Sequence, residues 1–351
     1  MTTRLLAAGD HFVLNSLLLD AVGRATDQPL DTTELTLSWP HVPFGPVAEV
    51  HEASGTEEEL IEALSGVEVC VTQMAPLTRA VLDASPELRL FCVTRGGPVN
   101  ANLAAATEHG VAVSFAPGRN ATATAEHTLG LILAATRRIP STHGFLAAGV
   151  WRGDQYAYEQ VGPELEGTTV GLVGCGAIGR RVARALAGFG AHVLVHDPHV
   201  DPGELAGLGE PVALDELLVR SRIVSLHARA TPETAGMIGA RELAVMPEGS
   251  VIVNCARGSL LDYDAVCDAL DAGHLYAAAF DVYPEEPVPP TSRLLATRGV
   301  VMTPHLAGAS KQTAERAADI AAAEVARYLR GEPLAHCANP DVMKASSAWG
   351  N

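Results

Sequence analysis

Four stretches of this sequence hold residue types that could do chemistry together. The first is Gly174-x-Gly176-x-x-Gly179, set between an apolar run (VGLVG) and a helical pattern (RRVARALAGFG). A second apolar run, HVLVHD, ends in Asp197, eighteen positions after Gly179. The other three stretches place Arg257 after VIVNCA, Asp281 and Glu286 after AAAF, and His305 after VVMTP. Glycines between a strand and a helix let backbone approach a pyrophosphate, which then meets the free amides and positive dipole of the helix N-terminus. Gly174 permits the tight turn, Gly176 the close approach and Gly179 the close helix–strand packing, with Ala177 and Ile178 completing the loop. Asp197 is placed to accept from ribose hydroxyls and to repel a 2′-phosphate, which favours NAD over NADP.

Arg257, Glu286 and His305 suit hydride transfer at a 2-hydroxy acid. A planar guanidinium forks onto the substrate carboxylate. The hydroxyl proton must leave as the hydride leaves, and an imidazole titrates near the pH at which that is useful. In the reverse direction the imidazolium donates the proton to a carbonyl. Glu286 beside His305 favours the charged ring, raising its pKa, and holds one tautomer. Each residue alone has an ordinary alternative: a helix-end charge for Arg257, a solvated loop acid for Glu286, a loop-packing role for His305.

These residues need a scaffold that brings separate loops to one edge. Short apolar runs alternate with helical patterns along most of the chain, which implies parallel sheets covered on both faces. RLLAAGD (4–10) reads as a strand running into a helix start at Asp10, and Thr56-Glu57-Glu58-Glu59 reads as a capping box. ELRLFCVT (87–94) is another strand-like run, ending at Arg95-Gly96-Gly97. From Thr168 a second series holds six apolar runs, the strand count of a complete doubly wound nucleotide-binding sheet. From Ser310 one long amphipathic helix could run back to the first domain. The expected division is therefore a discontinuous substrate domain, 1–118 with 308–351, and a nucleotide-binding domain, 119–307.

Composition sets limits. The 351 residues suffice for two domains, and a formal net charge of −17 argues against a polyanion partner. Nearly every cation is an arginine; Lys311 and Lys344 are the only lysines. The six cysteines (Cys70, Cys92, Cys175, Cys255, Cys267, Cys337) are scattered without a CxxC pair. They read as reduced thiols of a cytoplasmic protein, with no metal site expected. The N-terminal stretch is interrupted by Asp10, His11 and Asn15, so neither a signal peptide nor a membrane span is expected.

GCGAIG with Asp197, then NCARGSLLD, FDVYPEEP and TPHLAGAS, in that order and spacing, resemble the D-isomer-specific 2-hydroxyacid dehydrogenases, over roughly residues 45–335. The resemblance implies two Rossmann- or flavodoxin-like domains, an active site in the cleft between them and a homodimer. It implies that Arg257 binds the substrate carboxylate and that Glu286 and His305 are the acid/base pair. It further implies that Asp281 contacts the nicotinamide carboxamide, that Thr124 touches the cofactor, and that Cys255 and Ala256 line its nicotinamide side. The loop Arg95-Gly96-Gly97 matches the segment whose backbone amides meet the substrate carboxylate, and Arg119-Asn120 lies at the domain junction. Arg95 or Arg119 is expected to read a second anionic group, such as a phosphate or phosphonate; pairing of each with a nearby acid is the alternative.

Departures from the family pattern matter. Arg229 replaces a proline near the expected adenosine end and could accommodate a phosphate there. Glu286 stands where formate dehydrogenases have Gln, so formate is not the expected substrate. The 46 residues after His305 leave no room for a regulatory amino-acid-binding domain, so no serine feedback through such a domain is expected. The favoured function is an NAD-dependent dehydrogenase of a 3-phosphoglycerate-like substrate. The alternatives are a phosphonate-bearing 2-oxo-acid reductase of secondary metabolism and an NAD(H)-sensing scaffold.

Overall fold

The computed structural model describes residues 2–342. The chain divides into two compact units, one running to Asn120 and resuming at Ser310, the other spanning Ala121–Ala309. Residues 1 and 343–351, which fall in the expected first domain and include Lys344, lie outside the described residues.

The first unit is built on five parallel strands: β1 (Thr3–Gly9), β2 (Leu30–Thr36), β3 (Val69–Thr72), β4 (Leu90–Val93) and β5 (Ala112–Phe115). Their spatial order is β2-β1-β3-β4-β5. Successive side chains of a strand point to opposite faces. Leu5 and Ala7 therefore enter one core layer and Leu6 and Ala8 the other, all fully buried. The helices Asn15–Ala25 and Lys311–Leu329 cover the first of these faces. The second helix is capped by Ser310, whose hydroxyl accepts from the Thr313 amide at 3.1 Å. Its buried side is mostly small: Ala314, Ala318, Ala321 and Ala322.

Seven parallel strands make the second unit: β6 (Thr169–Val173), β7 (His192–His196), β8 (Glu210–Pro211), β9 (Ile223–Leu226), β10 (Ser250–Asn254), β11 (Leu275–Phe280) and β12 (Val300–Met302). Their order is β12-β11-β10-β9-β6-β7-β8, so the chain reverses its direction of travel between β6 and β9. Ligands of open α/β sheets bind past the carboxyl ends of the strands at such a reversal. Both units thus have the doubly wound parallel architecture expected.

Three local differences have simple causes. Asp10 does not start a helix; its Oδ1 accepts from the amides of Phe12 and Val13, both at 2.8 Å, and the helix begins at Asn15. β2 (LDTTELT) has no apolar run because it is an edge strand with little buried surface. The seventh strand of the large sheet, β8, is only Glu210–Pro211 and exposed. The capping box at Thr56 forms in full, with reciprocal bonds to Glu59 of 3.0 and 3.2 Å.

Candidate active site

The glycine loop follows β6 at the chain reversal of the large sheet. Gly174 has φ of +101°, which L side chains rarely adopt, and a Cβ there would lie 2.6 Å from the His227 backbone. A Cβ on Gly179 would lie 2.4 Å from the Gly174 carbonyl oxygen, whereas one on Gly176 would meet open space. The helix Gly179–Gly188 therefore starts hard against the turn, with a clear approach at Gly176. Asp197 stands at the end of β7. Its Oδ2 accepts from the Cys175 amide at 2.7 Å and its Oδ1 from the His199 amide at 2.9 Å. A cavity of about 400 Å³ opens beside it, lined by His196, Asp197, Pro198, Val200, Val212 and Ala213 among others. A largely apolar slot with Asp197 and Glu216 among its lining fits an adenosine, and these residues together fit NAD. Arg229 is exposed and forms no ion pair among the described residues.

Past the carboxyl ends of β10, β11 and β12 the three candidate groups come together. His305 Nδ1 lies 2.7 Å from Glu286 Oε2. Glu286 Oε1 accepts from the Tyr283 amide at 3.0 Å, which fixes the carboxylate from its other side. The Glu286 hydrogen bond raises the His305 pKa against the opposing effect of burial, and the charge of Asp281 raises it further. Burial pushes Glu286 up, but the hydrogen bond and charge of His305 outweigh it and hold the carboxyl below its ordinary value. With Nδ1 engaged, Nε2 is the nitrogen left to face a reacting oxygen. Arg257 is exposed; its Nη1 donates to the Ala256 carbonyl at 2.7 Å, and no carboxylate pairs with it among the described residues. Its charge lies near enough to lower the pKa of both Glu286 and His305.

The backbone beneath these side chains is tightly specified. His305 has φ of +53°, a left-handed conformation costing about 1–2 kcal/mol for a residue with a Cβ. Asp281, fully buried, holds it there. Its Oδ1 accepts from Thr303 Oγ1 at 2.6 Å and the Leu306 amide at 2.8 Å, and its Oδ2 from the Ala307 amide at 2.7 Å. His127 Nε2 approaches Thr303 Oγ1 at 2.9 Å and Asp281 Oδ1 at 3.5 Å. The Asp281 carboxylate thus supports the loop carrying His305 through three hydrogen bonds, a role beside the nicotinamide contact that the family resemblance implied. Tyr283 Oη donates to the Thr303 carbonyl at 2.9 Å, and Asn254 Nδ2 to the Arg257 carbonyl at 2.9 Å. Gly258 closes the arrangement: a Cβ there would sit 2.0 Å from the Tyr283 carbonyl oxygen, so only glycine lets the Arg257 loop meet the Glu286 loop. Sequence reading missed His127, Thr303, Tyr283 and Asn254. Only Gly258, inside CARGS, carried a readable signal.

The remaining candidates are spread more widely. Thr124 is buried in the helix Ala121–Thr136, where its carbonyl accepts from Thr128 Oγ1 at 2.7 Å. Cys255 is buried, its thiol pushed up to about 12 by burial, and Ala256 donates its amide to Asn254 Oδ1 at 3.0 Å. In the first unit Arg95 pairs with Glu52, and its Nη1 also donates to the Glu52 carbonyl at 3.0 Å. Gly96 and Gly97 have open space at their Cβ positions. Asn120 is the last residue of this unit's first segment and is half-buried. Arg119 pairs with no acid among the described residues; its guanidinium lies 5.9 Å from the Phe12 ring centre.

Among the described residues, no helix is long and apolar enough to cross a membrane, and no group of His, Cys, Asp or Glu could hold a metal. Residues 129–307 match the family model for the NAD-binding domain of the D-isomer specific 2-hydroxyacid dehydrogenases. The chain is 39% identical over 292 residues to the D-3-phosphoglycerate dehydrogenase of Mycobacterium tuberculosis, across 82% of this chain and 54% of that one. It thus spans about half the length of that relative. It is 34% identical over 295 residues to the glyoxylate reductase of Korarchaeum cryptofilum, across 84% of this chain and 89% of that one. A D-lactate dehydrogenase structure from Treponema pallidum superposes with a TM-score of 0.78 at 26% identity, covering 95% of this chain and 99% of that one. The chain belongs to the D-isomer-specific 2-hydroxyacid dehydrogenases, and its second unit is their NAD-binding domain.

Proposed function

We propose that the protein is an NAD-dependent dehydrogenase of D-2-hydroxy acids, acting on a 3-phosphoglycerate-like substrate. The observation that carries this reading is the 2.7 Å contact between His305 Nδ1 and Glu286 Oε2, with Arg257 nearby and in no ion pair among the described residues. NAD, when bound, supplies the hydride acceptor or donor. Arg257 forks onto the substrate carboxylate and sets the orientation of C2. His305 Nε2 takes the hydroxyl proton in oxidation and returns it to the carbonyl oxygen in reduction. Glu286 stabilises the imidazolium that oxidation creates. Asp281 positions His305. The phosphorylated substrate draws support from the 39% identity to phosphoglycerate dehydrogenases and from Arg119, which pairs with no acid among the described residues, whereas Arg95 is taken by Glu52.

The working form in this proposal is a cytoplasmic homodimer. Five buried, unpaired cysteines fit a reducing compartment. Between Ile139 and Val161 the chain exposes Leu146, Val150, Trp151, Tyr156 and Tyr158, with Trp151 83% exposed. An apolar segment of that kind is suited to a second copy.

The test is NADH oxidation, followed by absorbance, with a panel of 2-oxo acids that do and do not carry phosphate or phosphonate. Wild type is expected to turn over at least one of them. His305→Ala is expected to lose about 100- to 10,000-fold in kcat. An unchanged rate in that variant would refute the assignment.

A further inference from the structure

A second histidine reaches the loop that carries His305. His127 lies half-buried on the helix Ala121–Thr136, 176 positions from Thr303 in the chain, and its Nε2 meets Thr303 Oγ1 at 2.9 Å. Helix and loop belong to the same unit. The helix gives His127 a fixed base. Leu131, Ile132 and Ala135 pack into one core layer with Val251 and Val253 of β10 and Ala277 and Ala279 of β11. A half-exposed ring on such a helix could point to solvent; this one points at the last strand's end.

The groups around Thr303 Oγ1 decide which atom carries which hydrogen. Its single hydroxyl hydrogen has two acceptors in reach, Asp281 Oδ1 at 2.6 Å and the Phe280 carbonyl at 3.5 Å. Asp281 also accepts the amides of Leu306 and Ala307 on its two oxygens, as an ionised carboxylate does. With the hydroxyl hydrogen spent on Asp281, the contact of His127 Nε2 with Thr303 Oγ1 is a hydrogen bond only if Nε2 donates. Asp281 Oδ1, 3.5 Å from the same nitrogen, also favours a hydrogen there. A directed chain results: His127 to Thr303, Thr303 to Asp281, and Asp281 to the two amides that follow His305. Pro304, between Thr303 and His305, has no N–H with which to anchor itself. The Thr303 side chain therefore holds that side of the turn, together with the bond from Tyr283 Oη to the Thr303 carbonyl.

We propose that His127 is a positioning residue for His305: by donating to the Thr303 oxygen it turns the Thr303 hydroxyl hydrogen toward Asp281 and so holds the left-handed turn at His305. The proposal rests on the dehydrogenase reading, in which His305 Nε2 moves the proton. It requires no contact of His127 with substrate or cofactor. Without His127 the Thr303 hydrogen is free to swing to the Phe280 carbonyl, and Asp281 loses the nearest of its three donors. The turn then relaxes toward ordinary backbone angles and draws the His305 ring away from Glu286. What falls is the proton step, not the binding of the acid.

The experiment measures kcat and KM for NADH-dependent reduction of 3-phosphohydroxypyruvate and of glyoxylate. The proteins are wild type, His127→Leu, His127→Gln, Thr303→Val and the double variant His127→Leu with Thr303→Val. His127→Leu is expected to lower kcat about 5- to 10-fold, the share of the barrier that one neutral hydrogen bond represents, with KM within about twofold. Glutamine carries an N–H at about the reach of the imidazole Nε2, so His127→Gln should recover most of the loss. In the Thr303→Val background, His127→Leu should change kcat less than about twofold, because the accepting oxygen is gone. A loss that persists in full in that background, or that falls on KM and spares kcat, overturns the proposal, since a packing role of the ring acts that way.

A second readout needs no turnover. The Glu286 hydrogen bond raises the His305 pKa against burial; the charges of Glu286 and Asp281 add to the rise and that of Arg257 opposes it. NMR titration of the His305 ring should therefore give a lower value in His127→Leu than in wild type, and a value close to wild type in His127→Gln. Equal values in all three proteins overturn the positioning role. A lowered value in His127→Leu, in a protein that reduces neither acid, upholds the positioning role and counts against the proposed function alone.

Discussion

Asp281→Asn is the substitution that most directly tests how the site is held. The carboxylate accepts three hydrogen bonds in a fully buried position: Thr303 Oγ1 at 2.6 Å, the Leu306 amide at 2.8 Å and the Ala307 amide at 2.7 Å. Asparagine keeps one oxygen and replaces the other with an NH2. Whichever way the amide turns, at least one backbone N–H then faces a donor. A hydrogen bond to a charged group contributes roughly 1.5–3 kcal/mol and a neutral one about 1. Losing one bond and weakening two therefore costs roughly 2.5–7 kcal/mol. The strain at His305, about 1–2 kcal/mol, is then no longer opposed, and the loop relaxes away from φ of +53°. The protein should remain folded, with a lower unfolding temperature. Its kcat is expected to fall about 100-fold, equivalent to roughly 2.7 kcal/mol of barrier. The decisive assay is a double-mutant cycle. If Asp281 acts through His305, then Asp281→Asn in a His305→Ala background should lower kcat less than about threefold, because the group it positions is gone. A full 100-fold loss in that background refutes the positioning argument. So does a variant whose only defect is weaker NADH binding, measured by quenching of tryptophan fluorescence, since that is the behaviour of a direct cofactor contact.

The other predictions concern protons and packing. Glu286→Gln removes the interaction that raises the His305 pKa, so the alkaline fall of the reduction rate, which needs the imidazolium, should move to lower pH, while the oxidation rate gains its neutral imidazole earlier; pH profiles of kcat/KM in both directions check this. Gly258→Ala drives a Cβ to 2.0 Å from the Tyr283 carbonyl oxygen, and should cost at least about 2–3 kcal/mol by denaturant titration with a parallel loss of kcat. His227 is packed at the Gly174 turn, and burial lowers its pKa to about 4. The unfolded chain therefore binds this proton first, and stability should fall by up to about 3 kcal/mol as pH drops from 6.5 to 4; His227→Gln should flatten that part of the curve of unfolding temperature against pH.

What could be read in advance, and what could not, follows from where each type of information is stored. A parallel strand buried on both faces is an uninterrupted apolar word, so VGLVG, HVLVH and VIVN announce themselves. The edge strand Leu30–Thr36 has one neighbour and little burial, so its sequence is polar and silent. Arg257, Glu286 and His305 are legible because each sits just past such a word, and the sheet turns three sequence positions into one place. The supporting network is different in kind. Thr303, His127, Tyr283 and Asn254 act through single hydrogen bonds, some linking residues far apart in the chain. Nothing in a threonine or a tyrosine says which carbonyl it will reach. Asp281 shows both limits at once. Its position at a strand end was readable, and family likeness supplied a role. Only the geometry revealed that three hydrogen bonds tie its carboxylate to the loop of His305. The same reasoning applies to Arg119. Its charge was visible in the sequence, but that its Nη1 is buried without a hydrogen-bond partner, close to Asp10, depends on how β1 and β5, more than a hundred residues apart, end on the same edge of one sheet. Chemistry in this protein is written in residue types, and its precision is written in contacts that only the fold creates.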